Sequence, residues 1–381
     1  MPEAFIVGAV RTPVGKRGGG LSAIHPSDLG AHVLVSLLDS TGVDPAAIDD
    51  VIFGCVSQIG AQTFNIARTS WLGAGFPESV PGTTVDRQCG SSLQALHFAA
   101  QGVMSGTADL IVAGGVEAMS QVPMGSAVSA GRDAGLGDPF GGVGFRGRYS
   151  AGPDQFLGAQ LIAERWGLER TQMECFALQS HLKASAAWAR GYFDAEVSPI
   201  GGVVRDEGYR VDTTLEKMAT LQTIPGYDRL TAAVASQVSD GAAAVLVASE
   251  RAIAEHGLTT LARIVSLAVV GVDPISMLTG PIPATEQVLR RAGLEHTDVD
   301  LFEVNEAFAS VVLAWLAEIG ADPGRTNVNG GAIALGHPLG ATGARLVTTL
   351  VHELQRRNGT YGLVAICEGG GTANAALLER A

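Results

Sequence analysis

The sequence predicts an α/β protein made of two duplicated α/β halves with a loop-rich segment inserted between them. Three observations predict it. Apolar runs of strand length alternate with segments of helical periodicity through the first 118 residues, and again after residue 240. The stretch Asp44-Pro-Ala-Ala-Ile-Asp-Asp-Val-Ile-Phe-Gly is echoed by His296-Thr-Asp-Val-Asp-Leu-Phe-Glu-Val-Asn, each before a glycine-flanked turn and a helix, which is the mark of a tandem unit. Between the halves the alternation lapses. The expected division is 1–118 as an N-terminal half completed by 240–259, 119–239 as an inserted loop domain, and 260–381 as a C-terminal half.

Taken in order, Ala4 to Val10 reads as a buried first strand, followed by a glycine-rich loop. Its Gly15-Lys16 pair lacks the spacing and the following Ser/Thr of a phosphate-binding P-loop, so it is a turn. Leu29, Val33, Leu34, Leu37 and Leu38 give Asp28–Ser40 one apolar helical face. Asp44-Pro45 opens a short helix, 50–58 supplies a strand in which Cys55 packs, and 65–74 is a helix. Thr83 to Val85 is a short strand that turns into a helix with apolar positions at Leu93, Leu96, Ala100, Val103 and Met104. Ser91 and Ser92 stand where they would cap it. Residues 109–115 form a central buried strand.

In the inserted segment, Gly142-Val-Gly-Phe-Arg-Gly147 matches GxGxxG, but no strand precedes it and no clear helix follows at once, so a dinucleotide site is not expected. Residues 155–166 and 171–190 read as helices, the second carrying Cys175 on a packing face. Residues 240–249 return to buried strand. A second set of units follows: strands at 262–270, 299–304 and 362–367, and helices at 284–292, 306–319 and 346–355.

With 46% hydrophobic and 17% charged residues the chain has ample material for a large core and no case for disorder. A net charge of −13 argues against a nucleic-acid surface. Four cysteines at 55, 89, 175 and 367 form no CxxC and no zinc spacing, so no metal site is expected and a reducing, cytoplasmic setting is. No signal peptide or membrane-spanning run is visible, and no membrane partner is expected.

The chemistry is carried by four stretches. Cys89 lies just before the first turn of a helix, where unpaired N–H groups favour a thiolate, the form that attacks carbonyls. Three later stretches put polar residues at strand ends, where open α/β sheets place their sites: Asn305-Glu306-Ala-Phe308, Gly336-His337-Pro-Leu-Gly-Ala-Thr-Gly, and Cys367-Glu-Gly369-Gly370-Gly371. Singly, each has a bland reading as a cap, a turn histidine or a buried strand-end cysteine. Together they make a constellation.

These stretches, with Arg11-Thr-Pro-Val-Gly, Gly114-Gly-Val-Glu-Ala-Met-Ser and Ala235-Ser236 before Asp240-Gly-Ala-Ala, resemble the thiolase family over essentially the whole chain. The resemblance implies a five-layered αβαβα thiolase fold with a loop domain over the site, assembled as a homodimer or homotetramer. It implies that Cys89 carries the acyl group, that His337 takes its proton, and that Cys367 is the second acid/base. Asn305 would hold a water that forms one oxyanion hole with His337, and the N–H groups of Cys89 and Gly369 would form the other. Each oxyanion donor is worth about 10²–10³ in rate. Ser236, with Ala235, would contact the pantetheine arm of coenzyme A, and Phe308 would wall that tunnel. No permanently bound cofactor is implied; coenzyme A and acyl-CoA thioesters are substrates.

The implied reaction is thiolytic cleavage of a 3-ketoacyl-CoA to acetyl-CoA and a shortened acyl-CoA, with acetoacetyl-CoA synthesis as the alternative direction. A non-catalytic lipid-binding relative would show a lost cysteine or histidine, and a carrier-protein condensing enzyme would lack the second cysteine and the Asn-Glu-Ala-Phe run. The departures concern substrate. Gln155-Phe-Leu-Gly-Ala-Gln160 replaces a common Met-Gly-x-Thr-Ala-Glu run, Gln222 stands where a basic residue often meets the nucleotide phosphate, and Glu368 follows the last cysteine. The Gln155-Phe156 run and Ser236-Gln-Val-Ser-Asp240 resemble actinobacterial degradative thiolases of the lipid- and steroid-side-chain type, which points to bulky or branched acyl groups.

Overall fold

The computed structural model describes residues 2–381. The N-terminal half runs β1 (Ala4–Arg11), β2 (Gly15–Lys16), α1 (Pro26–Thr41), β3 (Asp50–Gly54), α2 (Ile66–Gly73), β4 (Gly82–Val85), α3 (Ser91–Met104) and β5 (Leu110–Ala118). The inserted segment holds α4 (Ser126–Asp133), α5 (Val143–Arg148), α6 (Gln155–Arg165), α7 (Arg170–Ala189) and α8 (Leu215–Ala219). Then come β6 (Ser239–Ser249), α9 (Glu250–His256), β7 (Ala262–Gly271), α10 (Pro281–Ala292), β8 (Leu301–Val304), α11 (Ala309–Ile319), α12 (Ala332–Leu335), α13 (Thr342–Arg357), β9 (Tyr361–Glu368) and β10 (Thr372–Arg380).

The strands lie in the order β4-β3-β5-β6-β1-β7-β10-β9-β8. The two halves repeat one pattern. In the first, β3 is parallel to β4 and β5, while β5, β6 and β1 pair antiparallel. In the second, β8 is parallel to β9, and β9, β10 and β7 pair antiparallel. A single parallel bridge between Phe302 and Thr326 stands where β4 stands in the first half. Among the described residues, the strands of the two halves meet edge to edge only where Phe5 and Ile6 pair with Arg263 and Ala262.

Five layers result. One outer layer, α1 and α2, packs on the first sheet through Leu29, Leu34, Leu37 and Trp71. The other, α10 and α11, packs on the second through Val288, Val312 and Trp315. Between the sheets lie α3 and α13, with Leu93, Leu96, Leu346 and Leu350 meeting Ile6, Val247, Ile264, Val364 and Ile366. This middle layer is tight because glycines remove side chains where backbones cross. A Cβ on Gly343 would lie 2.2 Å from the Leu93 nitrogen, and one on Gly54 would lie 2.4 Å from that of Ser92.

Most elements stand where the sequence puts them, with differences that have local causes. β10 was not expected. Its Thr-Ala-Asn-Ala-Ala-Leu-Leu run has little β preference, and it is a strand because β7 and β9 pair with it on both sides. The helix expected from Glu306 begins at Ala309, since Glu306 itself is drawn into buried hydrogen bonds. A short exposed helix, α5, begins inside the GxGxxG stretch, and no strand precedes it. Cys175 is exposed, because α7 packs through Met173, Ala177 and Ala184 instead. All four cysteines are free. Among the described residues, no helix is long and apolar enough to cross a membrane, and no group of three metal-ligating side chains converges.

Candidate active site

Cys89 sits at the apex of the turn that joins β4 to α3. The residue before it, Gln88, holds a left-handed φ of 48°, which side chains rarely adopt. Asp86 Oδ1 accepts from the Gln88 N–H at 2.8 Å, and Ser91 Oγ donates to the Gln88 carbonyl at 2.6 Å while accepting from Arg87 N–H at 2.9 Å. The two serines therefore do not cap the helix. Ser91 braces the Cys89 turn, and Ser92 Oγ accepts from the Ala344 N–H at 2.9 Å, tying α3 to α13.

The expectation of a ready thiolate does not hold in the resting site. Cys89 keeps partial solvent exposure, yet the protein packed around it desolvates the thiol, and Glu368 adds repulsion once it is ionised; together they push it up to about 12. The backbone N–H groups of Cys89 and Gly369 act in the opposite sense, so the sulfur lies against both. A base is needed to ionise it.

His337 enters on the loop between α12 and α13. Gly336 has a φ of 111°, and a Cβ there would meet Ser239 Oγ at 2.3 Å, so glycine is required to swing the histidine in. The His337 N–H donates to Ser239 Oγ at 3.1 Å. Thr342 Oγ1 donates its one proton to the Pro338 carbonyl at 2.8 Å and lies 2.6 Å from His337 Nδ1. The hydroxyl can then only accept from Nδ1–H, which assigns the proton to Nδ1 and leaves Nε2 as a free base. Asn305 Nδ2 donates to that Nε2 at 3.3 Å. Burial, reinforced by Arg345, lowers the imidazole to about 3, so it rests neutral.

Cys367 is fully buried near the end of β9, close enough to Cys89 for that sulfur to disfavour its ionisation. Burial alone already pushes its thiol well up. The turn to β10 is made by Gly370 and Gly371, with φ of 82° and 80°. Ala235 bridges Phe308 in antiparallel fashion, and the Ser236 N–H donates to the Ala307 carbonyl at 2.9 Å. These residues stand beside a cavity of about 180 Å³ whose walls include Ala235, Ile333, His181, Arg210 and Lys217. The structure thus gathers Cys89 with Gly369 and Cys367, His337 with Asn305, and Ala235 with Phe308.

Several site residues escaped the sequence. Arg210 and Lys217 line the cavity, Lys217 paired at 2.7 Å with Asp212, which lines it too, while Gln222 is exposed and outside its walls. Glu117, on β5, accepts from Val56 N, Ser57 N, Gln62 Nε2 and Gly340 N at 2.8–3.0 Å, clamping the histidine loop to the first sheet. A carboxylate inside an otherwise apolar strand was its signal. Glu306 accepts from Ser180, Asn327 and Ile333 and so fixes the chain just after Asn305. From the altered 155–160 run, Phe156 meets the Phe308 ring edge-on at 5.5 Å, whereas Gln160 is bonded to Glu164 at 2.8 Å and to Asp228.

The family description "Thiolase, N-terminal domain" matches residues 4–251, and "Thiolase, C-terminal domain" matches 258–380. The steroid 3-ketoacyl-CoA thiolase FadA6 of Mycobacterium tuberculosis is 57% identical over 386 residues, covering 100% of this chain and 95% of the relative. The 3-oxoadipyl-CoA/3-oxo-5,6-dehydrosuberyl-CoA thiolase of Escherichia coli is 45% identical over 400 residues, covering both chains in full. Among solved structures, human mitochondrial 3-ketoacyl-CoA thiolase in complex with CoA aligns with a TM-score of 0.90 at 37% identity, covering 100% of this chain and 98% of that one.

Proposed function

The chain belongs to the thiolase family and is an acyltransferase, and from that premise we propose that it cleaves 3-ketoacyl-CoA thioesters through an acyl-enzyme on Cys89. The observation that carries this reading is that the chain holds both an unprotonated Nε2 on a neutral His337 and two thiols, Cys89 and Cys367, that cannot ionise unaided. His337 Nε2 takes the Cys89 proton as Sγ attacks the 3-keto carbon. The C2–C3 bond breaks, the electron pair leaves as the acetyl-CoA enolate, and Cys367 protonates its C2. Coenzyme A then attacks the Cys89 thioester. Its thiol proton restores Cys367, and the departing Cys89 sulfur recovers its own from His337.

The oxyanion roles follow the donors. N–H groups of Cys89 and Gly369, already against the Cys89 sulfur, suit the oxyanion of the acylated carbonyl. Asn305 Oδ1, which has no protein partner among the described residues, suits a water that joins His337 at the other. Coenzyme A would lie along Ala235, Ser236 and Phe308, with Arg210 drawing its phosphates where Gln222 cannot, Lys217 being paired with Asp212.

For the acyl group we favour a bulky, steroid-side-chain type, supported by the name of the 57% identical relative and by the aromatic contact between Phe156 and Phe308. A homodimer or homotetramer in the cytoplasm, and the division into 1–118 with 240–259, 119–239 and 260–381, belong to the same reading.

The deciding test uses two variants. Cys89→Ser is expected to abolish thiolysis while coenzyme A binding persists. Cys367→Ala is expected to accept an acetyl group on Cys89 from acetyl-CoA yet lose exchange of the α-proton. Exchange at the wild-type rate in that variant refutes the role of Cys367. A substrate panel from acetoacetyl-CoA through 3-oxoadipyl-CoA to polycyclic thioesters should peak at the last; a peak at acetoacetyl-CoA would retire the bulky-pocket reading.

A further inference from the structure

Glu368 follows one catalytic thiol in sequence and crowds the loop of the other in space. It is wholly buried, and a Cβ placed on Gly90 would lie 2.0 Å from its Oε1. The same point is 2.7 Å from Asn374 Oδ1, so the two oxygens are close neighbours across the Gly90 α-carbon. Neither has a hydrogen-bond partner among the described residues. The Asn374 amide cannot be turned to relieve this, because its Nδ2 donates to the Gly90 carbonyl at 3.0 Å. The other carboxyl oxygen, Oε2, is already served by the Thr372 hydroxyl at 2.6 Å. Two buried acceptors side by side are costly, and one proton on Oε1 satisfies both.

We propose that Glu368 is a positioning residue held as a neutral carboxylic acid that donates to Asn374 Oδ1, and that loss of its proton suppresses the Cys89 thiolate. The inference rests on Cys89 being the nucleophile. Neutral, Glu368 joins Gly90, at the mouth of α3, to β9 and β10 through Asn374 and Thr372 without adding charge beside either thiol. Ionised, it places a negative charge beside the atom that must become an anion.

The groups facing it agree with this. Burial pushes the Glu368 carboxyl up to about 8. Asp86, on the nucleophile turn, acts in the same direction, and only Arg87 and the Thr372 hydroxyl oppose it. Arg87 makes no ion pair with Glu368 among the described residues, and its charge also bears on the neutral His97 of α3. Reciprocally, Glu368 is a cause of the raised thiols of both Cys89 and Cys367.

The test is the rate of Cys89 alkylation by iodoacetamide, resolved by peptide mass spectrometry because Cys175 is exposed, followed from pH about 6 to about 10. Wild type, Glu368→Gln and Thr372→Val are compared, with Cys89→Ser turnover as the control. Glutamine keeps the donor to Asn374 and cannot ionise. At neutral pH its Cys89 rate is expected within about twofold of wild type, diverging above pH about 8 to roughly tenfold faster. Thr372→Val removes a donor to the carboxylate and is expected to move the wild-type alkaline suppression to higher pH.

A Glu368→Gln rate already severalfold above wild type at neutral pH would mean that the carboxyl is ionised there, and would overturn the proposal. Coincident curves at every pH, or an unmoved suppression in Thr372→Val, would also overturn it. Should Cys89→Ser still turn over substrate, the acyl-enzyme reading itself fails; an inert Cys89→Ser with coincident curves removes only the role of Glu368.

Discussion

Thr342 sets the state of the proposed base, His337, through a single hydroxyl. By giving its proton to the Pro338 carbonyl it can only accept from His337 Nδ1, and this keeps Nε2 free to act as a base. Thr342→Val should therefore lower kcat by roughly tenfold or more with little change in KM. Thr342→Ser should restore it. Steady-state kinetics of the pair would check this, and an unchanged kcat in the valine variant would show that the tautomer is set elsewhere. The threonine stands in plain sight in Gly336-His-Pro-Leu-Gly-Ala-Thr-Gly. Its role was not legible, because it depends on which carbonyl the backbone brings to its oxygen.

At the scale of elements, the site is built where β4, β5 and β9 end and the loops before α3 and α13 meet. Glu117 on β5 is the clamp between them. Removing it in Glu117→Ala would leave four donors, three of them backbone N–H groups, unpaired in the interior. The expected cost is about 3–5 kcal/mol of stability, with loss of activity in whatever protein still folds, since Gly340 is three residues from His337. Denaturant unfolding would read the first effect, and a cost below about 1 kcal/mol would show that water replaces the clamp. The alternation of elements was legible from apolar periodicity. β10 was not, because an alanine- and leucine-rich run takes its conformation from the neighbours that pair with it.

For the whole molecule, burial of neutral histidines sets a limit on the acid side. Burial lowers His97 and His337 to about 3 and His181 to about 4. In the unfolded chain each takes up a proton below pH about 6.5, while in the folded protein each stays neutral until far lower. The stability they contribute is thus present above pH about 6.5 and is lost as pH falls toward the folded values, at about 1.4 kcal/mol per pH unit for each. His97, on α3 between the two sheets, lies outside the chemistry and isolates the effect. His97→Gln should lose stability less steeply than wild type between pH about 6.5 and 4, as read by denaturant midpoints at each pH. Parallel slopes would show that His97 already carries its proton when folded.

What the sequence determined by itself was the class of fold, the family, and which residues are candidates for the reacting groups. Apolar periodicity reports burial locally, and a cysteine at a helix start with Gly-His-Pro and Cys-x-Gly-Gly-Gly downstream reports chemistry by residue type and order. What only the tertiary structure decided was the state of those groups. The Cys89 thiol is raised where helix-start position argued for a thiolate, because desolvation, joined by Glu368 once it is ionised, outweighs the N–H groups around it. The proton sits on Nδ1 of His337, Arg210 lines the cavity in place of Gln222 while Lys217 pairs with Asp212, and Glu117 and Glu306 hold the loops. Protonation and hydrogen bonding depend on distances between residues far apart in the chain, and those distances exist only once the two sheets have closed on α3 and α13.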